Sequence, residues 1–313
     1  MLNNGSKIFI AGHRGMVGSS IERLLRKDGY TNLILRTKDE LNLLNGEEVK
    51  DFFLSEKPEY VILAAARVGG IQANIEKPAE FLFENLVIQN NTIHAAYIAG
   101  VKKYVFLGSS CIYPKEAPQP MKEEYLLTGK LEPTNEGYAL AKISGLKLLE
   151  YYHKQYGFNS ISLMPCNLYG TNDSFHPQHS HVLSSLVRKF SDAKENCDSH
   201  VEIWGTGIAR REFMHVDDIA RATLFFMNNY NNPEFINIGV GSDISISELA
   251  HLISTEVGFK GEIKWDASKP DGMLRKCMDV SKMREQGFNP SLSLIEGIRK
   301  TISEYRDYKA NYV

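Results

Sequence analysis

Cysteine is scarce and scattered in this 313-residue chain: Cys111, Cys166, Cys197 and Cys277 stand far apart, with no C-x-x-C pair. That spacing excludes a disulfide framework and a four-cysteine zinc site, so no metal is expected and a reducing cytoplasm is. Long apolar runs are also lacking. The longest, such as Tyr60 to Ala66, falls far short of a membrane span, and the opening Met1 to Lys7 lacks a secretory apolar core. Charge of one sign is missing as well. The 36 Lys and Arg nearly balance 38 Asp and Glu, for a net charge of −2 and a pI near 6.5. That leaves no electrostatic footprint for a nucleic acid or an anionic membrane surface. No internal repeat, low-complexity tract or clear linker is present. What remains is an ordinary globular composition, 43% hydrophobic and 24% charged, on a chain long enough for one large or two smaller domains.

The first half alternates short apolar runs with amphipathic ones. Lys7 to Ala11, Asn32 to Arg36, Tyr60 to Ala64, Lys103 to Leu107 and Ser160 to Met164 read as buried strands. Between them, Met16 to Lys27 carries Val17, Ile21, Leu24 and Leu25 at helical spacing. Gly46 to Glu56 and Pro78 to Ala99 read as further helices, the second opened by proline. Tyr138 to Tyr156 is another, stopped by Gly157. Repeated βα units imply a doubly wound parallel sheet, an α/β fold. After Tyr169 the pattern is irregular, and a smaller second domain is expected there.

Gly12-His13-Arg14-Gly15-Met16-Val17-Gly18 lies between the first strand and the first helix. Glycines there tighten the turn and let phosphate oxygens reach the backbone, while the helix N-terminus offers free N–H groups and positive dipole. The spacing is GxxGxxG, and the required strand and helix flank it. The second strand ends Leu35-Arg36-Thr37-Lys38, with no acid before Asp39. An acid would bind a ribose 2′-hydroxyl. Arg36 with Arg14, and Lys38 beside them, instead make a cationic seat for the 2′-phosphate of NADP.

Tyr138 and Lys142 stand four apart, on one helix face. A free tyrosine titrates near ~10, and a nearby ammonium lowers that. Ser109, just past the fourth strand, is placed to hydrogen-bond a substrate oxygen beside Tyr138. The three make a proton relay for carbonyl reduction by hydride transfer. Cys111 follows two residues later. Alone it reads as readily as a small buried hydrophobe.

These motifs together resemble the extended short-chain dehydrogenase/reductase family, the nucleotide-sugar epimerases and reductases. The likeness runs through nearly the whole chain. It is carried by GHRGMVGS (12–19), LRTKDELNL (35–43), AAARVGGIQAN (64–74), LGSSCIYP (107–114), LEPTNEGYALAK (131–142), NLYG (167–170), SHVL (180–183), WGTGIARREFMHVDD (204–218) and DASKPDGMLRKCMDVSK (266–282). The resemblance implies a Rossmann-like domain (1–170 with about 213–242), a C-terminal α/β substrate domain (171–212 and 243–313) and a homodimer. It implies 3,5-epimerisation and 4-reduction of GDP-4-keto-6-deoxy-D-mannose with NADPH. Cys111 and His181 would move the protons on C3 and C5, and Tyr138 would protonate the C4 oxygen, supported by Ser109 and Lys142. Pro165, Cys166, Asn167, Leu168 and His181 would line the cofactor pocket, and Lys189, Trp204, Arg211 and Asp271 would bind GDP. A thiol is easily ionised by nearby cations, and histidine titrates in the working range.

The chain departs from the family where proline is common: Gly137 precedes Tyr138, and Thr171 follows NLYG. Both are expected to loosen loops near the site. The same catalytic set would serve another GDP-4-keto sugar, a dideoxyhexose (GDP-colitose) or a 6-deoxyheptose, or 4-reduction alone. A UDP-hexose epimerase with retained NAD fits Arg36 and the thiol–imidazole pair poorly. A non-catalytic NADP-binding sensor would not need Ser109, Tyr138 and Lys142 together.

Overall fold

The computed structural model describes residues 2–176, 180–269 and 271–312. Met1, Val313 and, within the 266–282 block, Pro270 lie outside them. In chain order the strands are β1 (Ile8–Ala11), β2 (Leu33–Ile34), β3 (Tyr60–Leu63), β4 (Lys103–Leu107), β5 (Ser160–Pro165), β6 (Asn167–Tyr169), β7 (His200–Trp204), β8 (Arg210–Arg211), β9 (Phe213–His215), β10 (Ile236–Ile238), β11 (Ile244–Ser245), β12 (Glu262–Asp266) and β13 (Arg275–Lys276). The helices are α1 (Met16–Lys27), α2 (Gly46–Glu56), α3 (Ile71–Glu76), α4 (Pro78–Ile98), α5 (Glu136–Tyr156), α6 (Val182–Glu195), α7 (Val216–Asn229), α8 (Ile246–Val257), α9 (Ser281–Glu285) and α10 (Leu294–Tyr312).

The large sheet is parallel and six-stranded, ordered β10-β5-β4-β3-β1-β2. Every residue of β1, β3, β4 and β5 is buried. Helices cover both faces, α1 against α7 on one and α2, α4 and α5 on the other, which is why these strands read as continuous rather than alternating apolar runs. The chain lays β2 on one side of β1 and β3 on the other. That reversal opens a crevice at the carboxyl ends of the strands, where open α/β sheets bind ligands.

Two elements end where tertiary contacts decide. The β2 ladder stops at Ile34, not Arg36, because this edge strand pairs only with β1. Arg36 leaves the sheet to meet Glu56 of α2, Nη2 to Oε1 at 2.8 Å. Helix α5 starts at Glu136, behind a 3-10 turn at Pro133–Asn135, and ends on the left-handed Gly157 (φ +67°).

The region after Tyr169 is more regular than its pattern implied. Helices α6, α8 and α10 pack on one another around a second core that includes Leu183, Phe190, Leu249, Ile253 and Ile302. Strands β7 and β12 pair in parallel beside it. In contrast, β10 joins the large sheet next to β5. Met278, Val280, Met283 and Phe288 also pack on the first core, although they lie within the 243–313 segment.

One buried carboxylate ties these pieces. Glu212 Oε1 accepts from the Val240 and Gly241 N–H groups at 2.6 and 2.7 Å, and Oε2 from the Met278 N–H at 2.7 Å. A β-carbon on Gly239 would overlap the carboxylate. Burial, opposed by these three donors, pushes Glu212 up to about 7. The folded value lies above the unfolded one, so the associated stability is full below pH 4.5 and is lost as pH rises through 7. The stability of wild type relative to Glu212→Gln should therefore fall by about 2 kcal/mol between pH 5 and pH 8. Urea unfolding at both pH values measures it, and a pH-independent difference would refute the titration.

Candidate active site

A cleft of about 750 Å³ opens at the carboxyl end of the sheet. Its floor begins at the glycine turn. Gly12 sits at φ +84°, and a β-carbon there would come within 2.6 Å of the Ala65 nitrogen. A β-carbon on Gly18 would overlap the Gly12 carbonyl, so α1 closes directly onto the turn. Gly15 precedes α1, and no side chain caps the first turn. Gly12, His13, Arg14, Gly15, Met16 and Val17 line the cleft, with Gly18 buried beneath them. His13 Nδ1 is buried without a hydrogen-bond partner. Free helix N–H groups, a backbone cradle that a β-carbon would fill and an unpartnered ring nitrogen suit a dinucleotide pyrophosphate.

At the far end, Arg36 and Lys38 are on the wall with Arg14. Arg36 is already engaged: it pairs with Glu56, donates to the Leu35 carbonyl at 3.0 Å and lies 5.7 Å from the Phe52 ring centre. Arg14 and Lys38 are exposed. The cationic seat therefore rests on three groups, one of them shared with a carboxylate.

Beyond β4 the chain turns at once into a short 3-10 segment, Ser110–Ile112. Ser109 Oγ caps it, accepting from the Cys111 N–H at 3.3 Å. That hydrogen bond seats the Cys111 thiol in the cleft wall, buried. Burial pushes the thiol up, while the Lys276 and Lys142 ammonium groups and the Ser109 hydroxyl pull it down. Tyr138 and Lys142 reach the same wall from α5. Lys142 Nζ donates to the Leu107 carbonyl at 2.9 Å and lies 5.8 Å from the Tyr138 ring centre. Burial lowers Lys142 to about 8. The Tyr138 hydroxyl is pushed up, by burial first and the Cys111 thiol second. The sequence reading, in which the ammonium lowers the phenol, is thus outweighed: Lys142 is turned to a carbonyl beneath the ring, and desolvation dominates.

Pro165, Cys166, Asn167 and Leu168 line the cleft where β5 passes into β6. Cys166 is buried and raised well above the usual thiol value by that burial. His181 stands at the rim, its side chain 46% exposed, just before α6. Its Nδ1 is 3.3 Å from Asp173 Oδ1, and Asp173 in turn accepts from the Ser184 hydroxyl. The hydrogen bond to Asp173 raises His181 against the opposing effect of burial.

Lys189, Trp204, Arg211 and Asp271 lie outside the cleft lining, gathered around the 202–211 segment. Lys189 Nζ donates to the Glu202 carbonyl at 2.8 Å. The Asp271 carboxylate accepts from the Thr206 N–H and hydroxyl, both at 2.8 Å, and so holds that turn. Arg211 Nη2 donates to the Asp271 carbonyl at 3.1 Å. Trp204 is 61% exposed, with Lys269 Nζ 5.4 Å from its ring centre.

Three groups near the site escaped the sequence reading. Lys276 lines the cleft near Cys111. Asp173 orients His181. Asn135 lines the cleft three residues before Tyr138, with its amide oxygen buried and unpartnered. Lys276 and Asn135 stood inside quoted blocks, which was their only signal. The two departures do not loosen their segments. Gly137 lies where a β-carbon would come within 2.9 Å of the Pro78 carbonyl, and the Thr171 hydroxyl donates to Glu304 of α10.

Residues 8–239 match the model of the NAD dependent epimerase/dehydratase family. GDP-L-fucose synthase 1 of Arabidopsis thaliana is 54% identical over 305 residues, 97% of this chain and 94% of that protein. A GDP-6-OMe-4-keto-L-xylo-heptose reductase from C. jejuni superposes with a TM-score of 0.93 at 39% identity, covering 99% of both chains. A GDP-L-fucose synthetase from Naegleria fowleri bound to NADP superposes at 0.91 with 26% identity, covering 99% of this chain and 97% of that one. The glycine cradle, the serine–tyrosine–lysine wall and these full-length likenesses agree: the chain belongs to the NAD dependent epimerase/dehydratase family.

Proposed function

We propose that this chain is an NADPH-dependent bifunctional enzyme that epimerises GDP-4-keto-6-deoxy-D-mannose at C3 and C5 and reduces it at C4 to GDP-L-fucose. One observation carries the reading: a single cleft is lined by Ser109, Tyr138 and Lys142 and also by Cys111 and His181. Reduction and epimerisation need those two sets side by side. The 54% identity to a GDP-L-fucose synthase supports the same substrate.

The C4 carbonyl acidifies the hydrogens on C3 and C5. Cys111 and His181 remove a proton from each carbon and return one to the opposite face. Asp173 favours the protonated imidazole, which suits His181 to donate, and leaves the thiolate of Cys111 as the base. Bound along the glycine turn, NADPH supplies the hydride for C4. The Tyr138 hydroxyl donates its proton to the C4 oxygen, and Ser109 hydrogen-bonds that same oxygen. The cofactor's 2′-phosphate is held by Arg14 and Lys38 with Arg36, its pyrophosphate by the turn from Gly12 to Gly18, and its nicotinamide end by Lys142, His181 and 165–168. Lys189, Trp204, Arg211 and Asp271 take the GDP, the cations on the diphosphate and the indole on a ring.

The reading assigns 1–170 with 213–242 to the cofactor and 171–212 with 243–313 to the GDP-sugar. It takes the chain to be a cytoplasmic homodimer joined through α4 and α5, where Phe83, Leu140 and Tyr151 are exposed. No described helix is long and apolar enough to cross a membrane.

The test is one reaction in D₂O with NADPH and GDP-4-keto-6-deoxy-D-mannose. NADPH oxidation with deuterium at C3 and C5 and an L-fucose product is expected. Oxidation without deuterium would leave a plain 4-reductase. A second reading, the same chemistry on a GDP-4-keto-heptose, follows from the TM-score of 0.93 to a heptose reductase. It would be selected by oxidation with that sugar alone.

A further inference from the structure

Lys276 has no role in the relay just described. It lies on β13, whose ladder partner is β8, with Lys276 opposite Arg211. The backbone beyond it is pinned on both sides. The Cys277 N–H donates to Gln119 Oε1 at 2.9 Å, the Cys277 carbonyl accepts from the Met121 N–H at 2.8 Å, and the Met278 N–H is held by buried Glu212 at 2.7 Å. Side chains alternate along a strand. The Cys277 side chain is buried away from solvent, and Lys276 lines the cleft. Among the described residues the Lys276 ammonium has no hydrogen bond and no ion pair, although it is only partly exposed. A partly desolvated ammonium without a carboxylate, in a wall shared with a thiol, has that thiol as its available counter-charge.

We propose that Lys276 is a positioning residue for epimerisation: clamped on β13, it holds the Cys111 thiol in its ionised form at the cleft wall, ready to take a proton from substrate carbon. This rests on the reading of Cys111 as a proton shuttle. Lys276 and Cys111 act on one another in the same sense. Of the charges that stabilise the thiolate, Lys276 ranks ahead of Lys142, and Cys111 is the first influence that keeps Lys276 protonated against burial. The other groups around the pair are Tyr138 and Lys142 on α5, Arg211 on β8, Cys166 after β5 and Glu132 ahead of α5. Arg211 opposes the Lys276 charge and Glu132 supports it. The proton taken by the thiolate leaves Cys111 neutral beside Lys276. It returns to solvent or carbon when the thiolate re-forms, so no other reactant is required.

The experiment uses the full chain and three variants, Lys276→Met, Lys276→Gln and Lys276→Arg. The pH dependence of alkylation by iodoacetamide is followed on the Cys111 peptide by mass, so the other three cysteines do not interfere. Removing one nearby charge should move the Cys111 midpoint up by about one pH unit and slow alkylation near neutral pH about tenfold. Arginine should restore both. The alkaline-favoured limb of C3 and C5 deuterium exchange should move with the thiol. A midpoint that stays put in both neutral variants overturns the proposal, including the case where KM for the GDP-sugar rises, which would make Lys276 a substrate anchor. A shifted midpoint with wild-type exchange in Cys111→Ser would instead sink the shuttle itself, and with it this role, while leaving the charge pairing intact.

Discussion

Tyr138→Phe is expected to lower the rate of NADPH oxidation by about 10²- to 10⁴-fold, the usual worth of one positioned proton donor. Deuterium exchange at C3 and C5 should fall far less. The reason is a division of labour. The phenol is asked to protonate the C4 oxygen as hydride arrives, whereas the carbon protons pass through Cys111 and His181. The ring itself is structural: it is packed edge-to-face on Phe81 at 6.4 Å, and phenylalanine keeps that contact. The fold and the cofactor cradle should survive, so a Tm within a few degrees of wild type is part of the expectation. Stopped-flow absorbance reads the reduction, and mass spectrometry of quenched substrate reads the exchange. Equal loss of both activities would mean that Tyr138 serves substrate binding, not the reduction step.

The second large effect is the reverse pattern. Cys111→Ser and His181→Gln should each cut deuterium exchange at C3 and C5 by about 10²-fold or more, because a hydroxyl is a far weaker base than a thiolate and a glutamine amide does not titrate. Reduction of a substrate supplied already epimerised should persist in both variants. The environment of each group makes the substitutions clean. Serine leaves the Cys111 N–H free to bond Ser109 Oγ as before, and glutamine at the rim can still reach Asp173. His181 also has a pH signature. Its value is raised by Asp173, so a step that needs the imidazolium is active below that raised value and lost as pH rises through it. If either variant exchanges both protons at the wild-type rate, the pair is misassigned.

These two outcomes separate the two halves of the proposed chemistry. They share one cleft, so a general collapse of the site would remove both activities together. Selective loss, in opposite directions, is what distinct proton relays in one pocket must give. The Lys276 variants add a third axis. They should move the pH at which Cys111 works without touching the Tyr138 donor.

Much of this architecture is written in local sequence. Strands β1, β3, β4 and β5 are short apolar runs because helices cover both faces of their sheet, and burial on both faces leaves no place for alternation. Helix α1 was legible to the residue, since its start is set by Gly15 and its apolar face by Ile21 and Leu25. The left-handed stop at Gly157 was equally plain. The glycine turn and the tyrosine–lysine spacing needed no tertiary knowledge, because each works through backbone geometry or one helix face. The roles of Cys111 and His181 rested on resemblance alone, as no local rule ties two residues so far apart in the chain.

Only the tertiary structure decided the rest. The second core joins Leu183 to Ile302, and β10 and the 278–288 stretch return to the first core, through contacts no short window contains. Whether a charge is free or committed is likewise a spatial matter. Arg36 is shared with Glu56, Lys142 faces a carbonyl under the Tyr138 ring, and Lys276 meets a thiol more than half the chain away. Asp173 orients His181 for the same reason. Sequence determines which side chains exist and how a helix or strand orders its neighbours. Desolvation and charge, which set what those side chains do, depend on what the folded chain brings within a few ångströms of them.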